Sequence, residues 1–132
     1  MSKFNYFCVS LSHEEKKRLK DLFWDCISLP YLEGWKIYCD HCTLSTNLHT
    51  NWEVVKGYLS MLEGHKVSFK VIGFGISPYA LAAMVDLPSE NEMSHITLAI
   101  APGHKPVESN NIKDWFIFED EQPVFTGTVE KR

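Results

Sequence analysis

The chain has 132 residues, the size of one domain with a real hydrophobic core. Its 45% hydrophobic and 23% charged residues are ordinary globular composition, which excludes a disordered chain. The net charge of -4 argues against nucleic-acid binding by long-range attraction, so any nucleotide is expected in a local pocket.

Residues 3–11 are aromatic and β-branched and read as a strand. Ser12 and Glu15 then form a capping box. It opens a helix with Leu19, Leu22, Phe23 and Cys26 on one side and Lys16, Lys17, Arg18 and Lys20 on a solvated face. Pro30 and Gly34 punctuate the next loop. Residues 35–46 read as one or two strands. A second capping box, Thr50 to Glu53, starts a helix through Leu62 that ends at Gly64. Segments 66–76 and 79–87 form a hairpin turned near Ser77 and Pro78. Segment 94–101 is a strand, 102–111 a loop or short helical turn, and 114–120 and 122–130 two closing strands. This order predicts one α+β domain over residues 1–132, without a linker. Its sheet is largely antiparallel and its helices cover one side.

The start of the chain lacks a charged-then-apolar leader, and no apolar run is long enough to cross a bilayer. A soluble cytoplasmic protein with its four cysteines reduced and no membrane partner is expected. Cys39 and Cys42 suggest zinc, but further ligands at matching spacing are missing. In an extended strand the two thiols also face opposite sides. Neither metal nor cofactor is therefore expected.

Two short stretches repeat one pattern. His41-Cys42-Thr43-Leu44 matches His95-Ile96-Thr97-Leu98 in three of four places. Strand alternation puts His41 and Thr43 on one face and Cys42 and Leu44 on the other. In the second copy it separates His95, Thr97 and Ala99 from Ile96, Leu98 and Ile100. One such histidine is usually structural; two copies on matched faces exceed what six histidines give by chance. Two imidazoles facing one cleft suit displacement at phosphorus. One accepts the proton of the attacking oxygen and the other donates to the leaving oxygen. A threonine two residues along, on the same side, supplies a hydroxyl to the non-bridging phosphate oxygens.

Paired His-x-Thr-hydrophobic segments of this kind resemble the signature of the 2H phosphoesterase superfamily. The stretch HITLAIAPGHKPVESN (95–110) is most similar to the cyclic phosphodiesterase domain of fungal-type tRNA ligases, where a Lys-Pro-x-x-Ser-Asn segment also follows the second motif. The resemblance implies a bilobal, pseudo-twofold fold with antiparallel sheets around a central cleft and helices outside. It implies His41, Thr43, His95 and Thr97 as the catalytic set, with the order of acid and base left open. It also implies a metal-independent hydrolase of nucleotide phosphodiesters, such as RNA 2',3'-cyclic phosphate ends. Viral relatives apply the same chemistry to cyclic oligonucleotide or 2'-5' oligoadenylate immune signals, in the host cytoplasm. A non-catalytic module that binds nucleotides or RNA ends is the remaining alternative.

Secondary contacts are drawn from nearby residues. Tyr6, on the first strand, is a base-stacking candidate, ahead of Tyr31, Trp35, Trp52, Tyr79 and Trp115. Lys105 can neutralise a phosphate. His49 and His104 lack a threonine partner and read as surface histidines, and Ser109 and Asn110 read as turn caps.

Overall fold

The structure, a computed structural model, describes residues 6–26, 34–46, 64–87 and 93–131. Their elements in chain order are β1 (Tyr6–Leu11), α1 (His13–Cys26), β2 (Lys36–Ile37), β3 (His41–Thr46), β4 (Lys66–Ile76), β5 (Ala80–Val85), β6 (His95–Ile100), a 3-10 turn (Pro106–Asn111), β7 (Asp114–Ile117) and β8 (Val124–Lys131). The helix expected over 50–62 lies outside the described residues, as do Tyr31, His49 and Trp52.

Every strand pairing among the described residues is antiparallel. The strands run β3-β1-β8-β4-β5-β6, and β6 returns to β3, which closes a six-stranded ring. This corrects the expected bilobal α+β fold with two sheets flanking a cleft. The physical reason is the last strand. β8 inserts between β1 and β4, pairing Val9 with Val129 on one edge and Phe69 with Phe125 on the other. It thereby ties the two ends of the chain to its middle, so no boundary between lobes remains. β2 extends the edge of β6, and β7 adds to β4.

The ring is filled from alternate positions of each strand: Val9, Leu44, Val71, Leu81, Ile96 and Val129 are fully buried in one cluster. Helix α1 contributes Leu19 and Phe23 to it, the latter edge-on to Phe74 with ring centroids 6.1 Å apart. Its capping box forms only in part. Glu15 N–H donates to Ser12 Oγ at 3.2 Å, but the Glu15 carboxylate does not reach back. It accepts from Thr126 N–H at 2.7 Å instead and pins the helix start to β8. The 66–76/79–87 hairpin turns as expected, with Ser77 Oγ accepting from the N–H groups of Tyr79 and Ala80.

A second apolar layer lies outside the ring, where Ala80, Ala82 and Ile100 pack with Ile112, Tyr38 and Trp115. Small side chains here allow the 3-10 turn to approach β5 and β6 closely. Ile100 belongs to this layer because β6 is irregular. Ala82 pairs with Thr97 but Leu81 with Ala99, leaving Leu98 as the extra residue. The bulge returns Ala99 to the inner core and turns Ile100 to the face of Thr97, reversing the alternation expected for those two residues.

Candidate active site

The two His-x-Thr segments lie on neighbouring strands. β3 and β6 share one register pair, Cys42 with Ile96. Both of those side chains are fully buried in the inner core. The residues flanking the pair are His41 and Thr43 on one strand and Thr97 and His95 on the other. Because the strands are antiparallel, His41 stands at the Thr97 end and Thr43 at the His95 end.

His41 reaches this position through a break in the strand. Tyr38 N–H donates to Leu98 O at 2.8 Å and Cys39 N–H to Thr97 O at 2.9 Å, continuing β2 along β6. The next residue matched to β6 is Cys42, so Asp40 and His41 form an excursion between two consecutive residues of β6. Cys39 starts it with φ of 50°, in the left-handed region that side chains rarely adopt. The kink also corrects the expectation that Cys39 and Cys42 face opposite sides: both thiols are buried in the inner core. Burial pushes the Cys39 thiol up to about 12 against the nearby Lys20 and Lys16 charges, and Cys42 to about 11 against a Ser94 hydrogen bond. Neither is a ready thiolate ligand or nucleophile, and no cluster of metal-ligating side chains occurs among the described residues.

Asp40 serves its neighbour. One carboxylate oxygen lies 3.1 Å from His41 Nδ1, and the other lies 2.8 Å from Lys16 Nζ. The Lys16 ion pair holds the carboxylate, and the carboxylate accepts from the Nδ1–H of His41. If His41 moves a proton, Asp40→Asn is expected to lower kcat by about tenfold or more, short of the full 100- to 10,000-fold of a lost acid or base. The change should shift one limb of the kcat–pH profile. A profile of unchanged shape and height would show that Asp40 is a surface partner only.

His95 is held differently. It is 8% exposed, with Nδ1 donating to Met93 O at 2.7 Å and its ring 5.9 Å from that of Trp115. No buried side-chain nitrogen or oxygen among the described residues lacks a hydrogen-bond partner. Nε2, which makes no such bond, therefore meets the cavity that His95 lines. Desolvation lowers the His95 pKa below its ordinary 6.5; the His41 charge adds to this, and the Met93 hydrogen bond opposes it. Near neutrality the ring is uncharged, with its Nε2 lone pair available. Thr97 Oγ1 lies 2.9 Å from Ser109 Oγ, and Ser109 is the buried residue of the 3-10 turn.

The cavity beside His95 measures about 440 Å³ and is bordered by Ser109, Asn110, Lys113 and Trp115. Of the further residues suggested by the sequence, Trp115 borders this cavity. Lys105 caps the 3-10 turn, is exposed and does not border the cavity; Lys113 does. Tyr6 opens β1 opposite Thr46, and its side chain is outside the described residues. His104 is partnered: its Nδ1 lies 3.0 Å from Glu108 and its ring stacks on Tyr79 at 4.0 Å.

Sequence reasoning missed Asp40 and misread Ser109 as a turn cap. Asp40 precedes the first histidine directly, and Ser109 belongs to the Lys-Pro-x-x-Ser-Asn segment, so both carried a signal of proximity. No family model and no curated protein matches the chain.

Proposed function

We propose that this protein is a metal-independent phosphodiesterase of the 2H phosphoesterase kind, hydrolysing nucleotide phosphodiesters such as RNA 2',3'-cyclic phosphate ends. The supporting observation is the meeting of the two His-x-Thr segments on either side of the Cys42–Ile96 pair. The unlike surroundings of the histidines favour an order of roles. His95, uncharged and with Nε2 open to the cavity, takes a proton from the attacking water. The water oxygen bonds to phosphorus. The bond from phosphorus to the leaving oxygen breaks, and that oxygen takes a proton from Nε2 of the protonated His41, whose Nδ1–H is held by Asp40. For a cyclic phosphate the products are one monoester and one freed hydroxyl. Thr97, fixed by Ser109, and Thr43 serve the non-bridging oxygens as charge builds there.

A panel of RNA 2',3'-cyclic ends, 2'-5' oligoadenylate and cyclic oligonucleotides, assayed in EDTA, tests the reaction and ranks its substrates. Turnover that survives the chelator is expected. Nucleotide binding with no product from any member would replace the enzyme by a binding module.

The pH dependence follows from the sign of the His95 shift. A base must be unprotonated, so kcat/KM should hold its plateau as pH falls to 6.5 and decline only below it. The same depressed pKa makes folding stability fully present above 6.5 and partly lost as pH drops through the folded value. Paired rate and urea-melting series from pH 5 to 8 check both. An acid limb centred above 6.5 would remove His95 from the base role.

A further inference from the structure

Trp115 is seated with unusual constraint for an aromatic residue that borders a cavity. It is carried on β7, where it pairs with Gly75 of β4. A side chain at Gly75 would meet the indole: an added Cβ would lie 2.5 Å from Cε3 and 2.6 Å from Cζ3. The ring lies against bare backbone because nothing larger than hydrogen stands there. Its Nε1–H donates to Ile112 O at 3.1 Å, which fixes its rotation, and it remains only partly buried.

The other borders of the cavity complement this plate. Asn110 is exposed, and its amide, with both donors and an acceptor, makes no hydrogen bond to a described residue. Lys113 is also exposed and has no carboxylate partner among the described residues. Met93 and Ile112 supply apolar wall. A flat aromatic surface, an uncommitted amide, an uncommitted cation and an adjoining imidazole match the parts of a nucleotide: base face, base edge and phosphate. The volume of about 440 Å³ lies toward the lower end of small-ligand pockets and suits one nucleotide better than an oligomer.

We infer that the cavity bounded by Trp115, Asn110 and Lys113 is a mononucleoside subsite, in which the base of the nucleotide attacked at His95 stacks on Trp115. The inference rests on the phosphodiesterase reading and adds to it the part of the substrate that is recognised. Asn110 reads the base edge, and Lys113 faces the phosphate side. Gly75 is a positioning residue that acts through Trp115.

The test compares adenosine 2',3'-cyclic phosphate with the baseless, non-aromatic ester glycerol 1,2-cyclic phosphate, using the full chain. Trp115→Ala should raise KM for the nucleotide by about five- to a hundredfold, the range of a base–aromatic stack. The preference for nucleotide over baseless ester should fall in proportion. Trp115→Phe should recover most of that preference, and Gly75→Ala, which displaces the ring without removing it, should lose part of it. Equal slowing of both substrates, or no change in the ratio, overturns the subsite. Binding is read separately in the His41→Ala background by quenching of tryptophan emission on adding adenosine monophosphate. A quench that disappears in Trp115→Phe supports the subsite even if the wild-type protein turns over neither ester, a result that would remove the reaction alone. No quench under any condition overturns the subsite while leaving a measured reaction intact.

Discussion

Replacing either His41 or His95 with alanine is expected to slow opening of an RNA 2',3'-cyclic phosphate end by about 100- to 10,000-fold, the contribution of a positioned acid or base. The losses should fall mainly on kcat, because in the proposed mechanism each ring acts on a proton that moves only as the phosphorus centre reacts. The double variant should be little worse than the poorer single one, since the two rings act as a unit. His41 sits at a partly exposed excursion, so its loss should leave melting nearly unchanged. His95 lines an existing cavity, and its loss enlarges space already there. Circular dichroism and a thermal melt on each variant separate lost chemistry from lost fold. Full turnover from either one would end the two-histidine mechanism.

Phe23→Ala should have the largest effect on stability. Phe23 is 1% exposed and ties α1 to the strands through contacts with Phe74 and Phe118. Truncating a buried phenylalanine costs about 3–5 kcal/mol through lost transfer energy and the cavity left behind. A domain of this size commonly has only about 5–15 kcal/mol in total. Urea unfolding should show a lower midpoint at nearly constant slope. Lys17→Ala, on the exposed side of the same helix, should leave the midpoint in place. A Phe23→Ala loss below about 1 kcal/mol would mean that the helix contributes little to the inner core.

The parts of this molecule that were legible in its sequence are those set by local periodicity. The strand around His95, the hairpin at Ser77 and the start of α1 at Ser12 follow from alternation, turn chemistry and capping. The placement of β8 between β1 and β4 did not follow, because pairing between distant strands leaves no local mark. Two irregularities were also hidden. Cys39 occupies a left-handed position without being glycine, asparagine or aspartate, so nothing signalled the kink that carries His41. The bulge at Leu98 leaves an unbroken apolar run, which reads as regular alternation until the pairing with Leu81 and Ala82 is known. Within the site, the paired motifs were visible because both histidines carry a threonine at the same offset. Lys113 was not, since its relevance comes from how the 3-10 turn folds back over β5 and β6, and Ser109 was marked only as part of the segment after the second motif.

The closure of the ring has a thermodynamic corollary. Each of the other five joints between its strands is a ladder of several residues, whereas among the described residues β3 and β6 share the single register pair Cys42 and Ile96. A phosphate gripped by residues from both strands would act as a clasp across the least-laddered joint. Occupancy and cohesion are then linked: at a hundred times its dissociation constant, a ligand adds about 2.7 kcal/mol to the folded state. Amide exchange should slow first around that joint, so the protein would report its own saturation through the protection of two strands.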